Sequence, residues 1–206
     1  MKRQLTKNLL PLVIVLGMTT YHTQSHAYEA GDFILRTGLA SVQPDEEAYG
    51  FLGDNKASVS GAEALGVTFS YMFTDRVALG LLASTPFKHD ISLPSGQIAE
   101  IQLLPPTLHL EYFPLESSTK WQPFVGVGVN YTKFFEEQSD LGDLELDESF
   151  GLSFEAGIDY KINEEWIVNA TVWNVDIETD ATLEGASIGG VKLDPWVYMV
   201  TIGYVF

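Results

Sequence analysis

One arginine, one histidine and three carboxylates stand out in stretches otherwise built of apolar and small residues: Arg36, His109, Glu111, Glu155 and Asp159. Each lies where large apolar residues alternate with small ones, and each falls on the small-residue side. A strand turns successive side chains to opposite faces, so parity puts all five on one kind of surface. If that surface is the inside of a closed barrel, the arginine must be paired, because an unpaired buried charge is very costly. Two chemistries fit the set: a polar plug filling the bottom of a narrow barrel, or a path for protons or ions. The plug is the reading adopted.

Catalysis finds less support. Acyl transfer needs a nucleophile beside a base. Beyond residue 27 the only histidines are His89 and His109, and neither has a convincing serine and aspartate set nearby in sequence. His89 followed by Asp90 is the best candidate for a lipid hydrolase or acyltransferase, and it is set aside; no catalytic residue is assigned. Cysteine is absent, which excludes disulfides, thiolate metal sites and a cysteine nucleophile. The segment FFEEQSDLGDLELDESF holds seven carboxylates (Glu136, Glu137, Asp140, Asp143, Glu145, Asp147 and Glu148). It lacks the spacing and glycine of an EF-hand loop, so it reads as a solvated loop. Divalent-ion bridging to lipopolysaccharide phosphates is the sharper alternative; neither a metal site nor a cofactor is assigned.

Positioning these residues falls to the elements around them. The first 27 residues carry Lys2, Arg3 and Lys7, then the apolar run LLPLVIVLGM, and close on Ser25-His26-Ala27. That is the pattern of a secretory signal, with an apolar run too short to span a bilayer. The expected domains are therefore a cleaved signal at 1–27 and one folded unit at 28–206. Removing the signal leaves eight basic against 28 acidic residues, a formal charge of −20. Nucleic acid demands a basic footprint, so it is excluded as a partner.

Eight segments alternate with period two, from GDFILRTGLASV through ALGVTFSYMF, RVALGLLAST, TLHLEYF, FVGVGVNYT, SFGLSFEAGIDY and WIVNATVW to DPWVYMVTIGYVF. The connections at 73–76, 113–120 and 160–166 are short. Those near 43–59, 86–99, 133–148 and 178–192 are long and polar, and are expected to be loops. Short turns at one end and long loops at the other describe an outer-membrane barrel with an even strand number. A soluble barrel keeps its large apolar residues inside. Here the large-residue face suits lipid and the small-residue face suits a narrow interior. The expected fold is all-β: an eight-stranded antiparallel transmembrane up-and-down barrel. Trp166, Tyr112, Tyr160, Trp196 and Tyr204 near strand ends suit aromatic girdles. The closing Tyr204-Val205-Phe206 resembles the signal read by barrel-assembly machinery, and outer-membrane lipid and lipopolysaccharide are the expected surroundings.

Higher in the lumen, Leu82, Trp173 and Met199 should reach similar heights, with Leu104 a little above them beside Pro105-Pro106. Porin interiors are polar, so apolar side chains here imply either a sealed core or a greasy constriction for a small apolar solute. Proline cannot donate to a ladder, and the apolar parity shifts from Ile101 and Leu103 to Leu108, Leu110 and Tyr112. A bulge at Pro105 and Pro106, opening the wall sideways, is the expectation.

The segments YEAGDFILRTG, TDRVALGLLASTPFKH, LPPTLHLEYF, FVGVGVNYTKFF, DYKINEEWIVNATVW and LDPWVYMVTIGYVF together resemble the outer membrane protein W (OmpW) family. The resemblance runs in order through residues 28–206. It implies an eight-stranded barrel with a hydrophobic lumen that passes small apolar compounds across the outer membrane, with Leu82 and Trp173 at the family's constriction positions. The competing expectation is a sealed structural or surface-interaction barrel without transport.

Overall fold

Alternation of large and small side chains becomes a ring of paired strands. The computed structural model describes residues 28–45, 47–49, 58–93, 96–139 and 142–206, so the expected signal lies outside the described residues. The ring comprises β1 (Phe33–Gln43), β2 (Ala62–Thr74), β3 (Val77–Ser84), β4 (Thr107–Tyr112), β5 (Trp121–Ser139), β6 (Ser149–Lys161), β7 (Trp166–Val175) and β8 (Trp196–Val205). Each pairs antiparallel with its sequence neighbour in this ring, and β8 returns to β1 in the register Arg36↔Gly203 and Ala40↔Met199. The seam runs to the last residue: the Phe206 amide donates to the Phe33 carbonyl at 2.9 Å. The barrel is closed, eight-stranded and antiparallel, so the ring itself has no free edge to pair with another chain.

The two faces separate by parity. Leu39, Phe150 and Val200 project outward and are 72%, 74% and 64% exposed, whereas Ile34, Met72 and Trp173 point inward and are buried. A ring of large apolar side chains facing outward is what a barrel presents to lipid. At the end where the chain enters, aromatic rings touch across strands. Phe33 neighbours Phe206, Phe206 neighbours Tyr204, and Tyr204 meets Trp166 edge-on at 5.1 Å. Trp121 and Tyr160 lie 4.6 Å apart on the far side. This girdle marks the lower rim.

The upper end departs from expectation. Three of the segments expected to be polar loops are largely strand. Phe87–Leu93 and Gly96–Leu104 continue the wall above β3 and β4, and β5 runs for 19 residues. Leu144–Leu146, Glu178–Leu183, Ala186–Lys192 and Glu47–Tyr49 form a second, four-stranded sheet. The physical reason is that alternation persists in these segments. Phe87, His89 and Ile91, like Ala99, Ile101 and Leu103, are buried on one parity, while Lys88 and Asp90 between the first three are exposed. The resulting apolar cluster joins Ala40, Val42, Leu82 and Trp173 to Phe87, Ile101 and Phe134. Of the acidic segment, Asp140 and the side chains of Glu136 and Glu137 lie outside what is described, and Glu148 meets Lys133 at 3.6 Å on the surface.

A closed ladder resists detergent far better than an open sheet. The purified protein is therefore expected to migrate faster on gels unheated than boiled, with a β-type far-ultraviolet spectrum. A single heat-independent band or a helical spectrum contradicts the closed ring.

Candidate functional site: the lumen and its side wall

The lower lumen is built around one ion pair. Arg36 Nε donates to Asp159 Oδ1 at 3.0 Å and Nη2 to Asp159 Oδ2 at 2.6 Å, a two-point contact between β1 and β6 with both residues almost wholly buried. The third guanidinium nitrogen, Nη1, donates to Ser70 Oγ at 2.9 Å, and Ser70 donates onward to Glu111 Oε1 at 2.9 Å. Asp159 also accepts from Asn169 Nδ2 at 2.7 Å and from the Tyr28 hydroxyl. The guanidinium lies 5.2 Å over the Phe124 ring. A forked guanidinium suits a carboxylate's two oxygens, and such charge-assisted bonds are the strong ones. The arrangement spans the barrel's width and occupies it.

Three of the five charged or polar residues singled out by sequence therefore share one network: Arg36, Glu111 and Asp159. The other two stand beside it. His109 Nε2 pairs with Ser153 Oγ at 3.0 Å, and Glu155 Oε2 accepts from the Trp173 indole at 2.8 Å. Glycines make room for the carboxylates. A Cβ on Gly80 would come within 1.8 Å of Glu111 Oε1, and one on Gly126 within 2.2 Å of Glu155 Oε1. Both acids lie flat across a neighbouring strand that has no side chain there. Glu111 Oε2 and Glu155 Oε1 are buried without a hydrogen-bond partner. Sequence reasoning missed Tyr28, Ser70 and Asn169. Ser70 and Asn169 sit on the inward parity of β2 and β7 and were legible there; Tyr28 precedes β1 and carries no periodic signal.

Above the plug the lumen turns apolar. Trp173, Met199 and Leu82 are all buried in one cluster. The Met199 side chain crosses from β8 to β2, where its sulfur would lie 2.7 Å from a Cβ on Gly66. Of these three, Trp173 and Met199 pack in the apolar cluster without lining its cavity, while Leu82 lines that cavity with Ala40, Val42, Phe87, Leu103 and Val175, among others, around about 30 Å³ of free space. That holds roughly one or two waters. Leu104 is not part of it. Leu103 points in and Leu104 points out, opposite Lys133 of β5. The sequence placed Leu104 on the wrong face because the apolar parity of Ile101 and Leu103, lipid-facing lower in the wall, is the inward one here.

The same misassignment explains the expected bulge. No register shift occurs against β5 at the prolines: Leu103↔Phe134 and Thr107↔Asn130 belong to one continuous alignment. Ile101, Leu103, Thr107, His109 and Glu111 are all buried, so odd residues face inward throughout and what changes is their chemistry, from apolar to polar. The break lies on the other side. The β3–β4 ladder ends at Leu82↔Thr107, and pairing resumes only at Phe87↔Leu103. Residues 83–86 there face residues 104–106, four against three. Proline lacks the amide that would bridge the gap. Outside it lies a hollow of about 360 Å³ lined by Ala83, Ser84, Leu104, Pro106, Tyr131 and Lys133. Ser84 also lines the inner cavity, as does Pro105.

His89 lies in the upper wall, buried, with Nδ1 2.7 Å from the Ser60 carbonyl. Burial lowers its pKa below the usual histidine value, against the opposing pull of that carbonyl and Asp90. The lip therefore carries a neutral imidazole.

Comparison with known proteins agrees with this architecture. A family model described as OmpW family matches residues 29–206. Outer membrane protein W of Salmonella typhi is 43% identical over 94% of this chain and 98% of its own. The crystal structure of the outer membrane protein OprG from Pseudomonas aeruginosa superposes with a TM-score of 0.80 at 38% identity, covering 89% of this chain and 99% of that one. A more distant relative, 27% identical over 86% of this chain and 90% of its own, is the dibenzothiophene metabolism operon protein PahQ of Pseudomonas aeruginosa.

Arg36→Leu strands a buried carboxylate and is expected to destabilise the barrel by roughly 3–5 kcal/mol. Arg36→Leu with Asp159→Leu removes both charges and should recover most of that loss. Urea unfolding in lipid vesicles, followed by the heat-dependent gel shift, measures both. Equal stability of the single and double variants contradicts the pairing.

Proposed function

The chain belongs to the OmpW family of Gram-negative outer-membrane proteins, and we propose that it passes small hydrophobic molecules through its apolar upper lumen and out sideways into the bilayer. The observation that carries this reading is the unpaired wall at Pro105 and Pro106, between an inner apolar cavity and an outer hollow of about 360 Å³. A relative named for dibenzothiophene metabolism supports an apolar aromatic class of solute. In this scheme Leu82, Trp173 and Met199 form the floor on which a solute rests, while Leu104 stands on the exit side.

Energetics favour the lateral route. Moving one buried methylene into water costs about 0.8 kcal/mol, so a multi-carbon solute meets a steep barrier at the charged plug of Arg36, His109, Glu111, Glu155 and Asp159. A sideways exit keeps it in apolar surroundings. Unpaired backbone at membrane depth is tolerated only where protein or a cavity covers it. The outer hollow supplies that setting. Among the described residues the charged plug and the apolar cluster occupy the lumen that porins keep water-filled, which argues against general diffusion of polar solutes. Residues 1–27 serve in this scheme as the export signal, the last strand as the contact for barrel-assembly machinery, and lipopolysaccharide as the neighbour of the upper rim. The small free volume of the cavity, about 30 Å³, equally suits a sealed structural barrel. Transport measurements decide between the two.

Replacing both prolines with valine or threonine restores donors and allows the wall to close. Uptake of a labelled apolar solute into vesicles with a lipopolysaccharide outer leaflet should fall, while barrel stability holds or rises. Unchanged uptake in the folded variant contradicts lateral exit. Trp173→Ala and Leu82→Ala should change the uptake rate without abolishing the gel shift; parental rates in both favour the sealed barrel.

A further inference from the structure

The cavity is apolar except at a few points, and two of these are unsatisfied. His89 Nε2 and Ser84 Oγ are both buried without a hydrogen-bond partner, and both residues line the cavity. A buried polar atom left unpaired costs about 1–3 kcal/mol, so such atoms call for an explanation. The other hydroxyl in the lining is already engaged: Thr107 Oγ1 donates to the Pro105 carbonyl at 3.0 Å and accepts from Asn130 at 2.8 Å.

The chemistry of the His89 ring is fixed by its other nitrogen. The Ser60 carbonyl can only accept, so Nδ1 carries the proton in the 2.7 Å contact. In a neutral imidazole the remaining nitrogen is then a bare acceptor. His89 lines the cavity, and its Nε2 thus carries a buried lone pair that seeks a donor. Ser84 offers a hydroxyl that donates or accepts, at the point where the cavity meets the gap in the wall. An alkane, an ether or a thioether leaves Nε2 unsatisfied, whereas a hydroxyl satisfies it.

We propose that His89 Nε2, assisted by Ser84 Oγ, forms a polar subsite that selects apolar molecules bearing one hydrogen-bond donor, aliphatic or aromatic alcohols above all, over hydrocarbons and ethers of equal size. The hydroxyl donates to His89 Nε2 while the apolar body lies among Leu82, Phe87 and Leu103. Ser84 receives the hydroxyl next, as the solute moves toward the side wall. The subsite rests on the reading of the barrel as a conduit for apolar solutes and names the class that it favours. It also gives His89 a role other than catalysis, since the ring binds through a lone pair and no nucleophile is required.

The test uses two isomers, 1-octanol and methyl heptyl ether, which share composition and differ in the donor. Full-length protein processed in cells and labelled with ¹⁵N-histidine is placed in nanodiscs at neutral pH. Octanol is expected to move the His89 Nε2 resonance toward its hydrogen-bonded position, with the ether leaving it in place. Uptake into vesicles with a lipopolysaccharide outer leaflet should favour octanol by about tenfold, as one additional buried hydrogen bond allows. In His89→Leu the ratio should fall to that of the passive membrane, and Ser84→Ala should lower it partially; the gel shift verifies folding of each. If both isomers are carried equally well with and without His89, the subsite is overturned while the conduit stands. If neither isomer enters faster than in protein-free vesicles, the conduit fails and takes the subsite with it. An unmoved Nε2 resonance with octanol overturns the subsite whatever the uptake.

Discussion

Lipid offers a backbone amide nothing to bond, and this single deficit governs the molecule. Every strand crossing the hydrocarbon must find its partners in other strands, so the sheet has to close on itself. Closure in turn fixes the strand count as even, returns the chain to its starting rim, and leaves an interior with room for side chains and little else. The inward residues are small because the ring is narrow, and the outward residues are large because lipid welcomes them. Even the Phe33–Phe206 pairing at the rim follows, since an unpaired final residue would reopen the ladder.

Within that frame the interior divides into two regimes with opposite chemistry. Below, charge is admitted and its central pair is saturated: Asp159 receives the two-point contact of Arg36, the Asn169 amide and the Tyr28 hydroxyl. Above, charge is absent from the cavity lining and aliphatic side chains take over. Trp173 stands at the border. Its ring belongs to the apolar cluster while its indole nitrogen binds Glu155 of the plug. A tryptophan suits this position because one edge is polar and the body is not. The gap between the β3 and β4 sides of the wall lies above this border, where proline removes donors and the inner side is apolar.

The fold was legible because period-two alternation is a direct image of the two environments. Phe150, Leu152 and Phe154 against Gly151, Ser153 and Glu155 already state lipid and lumen. Arg36, Glu111 and Asp159 could be grouped by parity and by the need to neutralise buried charge. What could not be read was the far upper wall. Its strands alternate too, but their inward face is apolar, which inverts the rule that served for the membrane region. Ile101 and Leu103 consequently carried the signal of lipid-facing residues, and from that followed the misplaced Leu104 and an apparent flip of parity at the prolines. Ser70 and Asn169 were legible as inward residues, but their part in the network was not. Small polar residues on an inward face are common, and only contact geometry distinguishes those that hold an ion pair.

The seam between β1 and β8 has a consequence for how the molecule comes into being. The strand that opens the barrel pairs with β8, from Ile34↔Val205 to Gln43↔Trp196. No ring can form until β8 has been synthesised, and contacts of such high sequence separation are intrinsically slow to form. Until then β1 lacks one of its two partners, and the growing sheet keeps an open edge. Exposed strand edges at that stage invite aggregation. The acidic surplus of the chain supplies mutual repulsion during this interval. Its excess of carboxylates thus acts earliest on the travelling polypeptide, before any lumen exists.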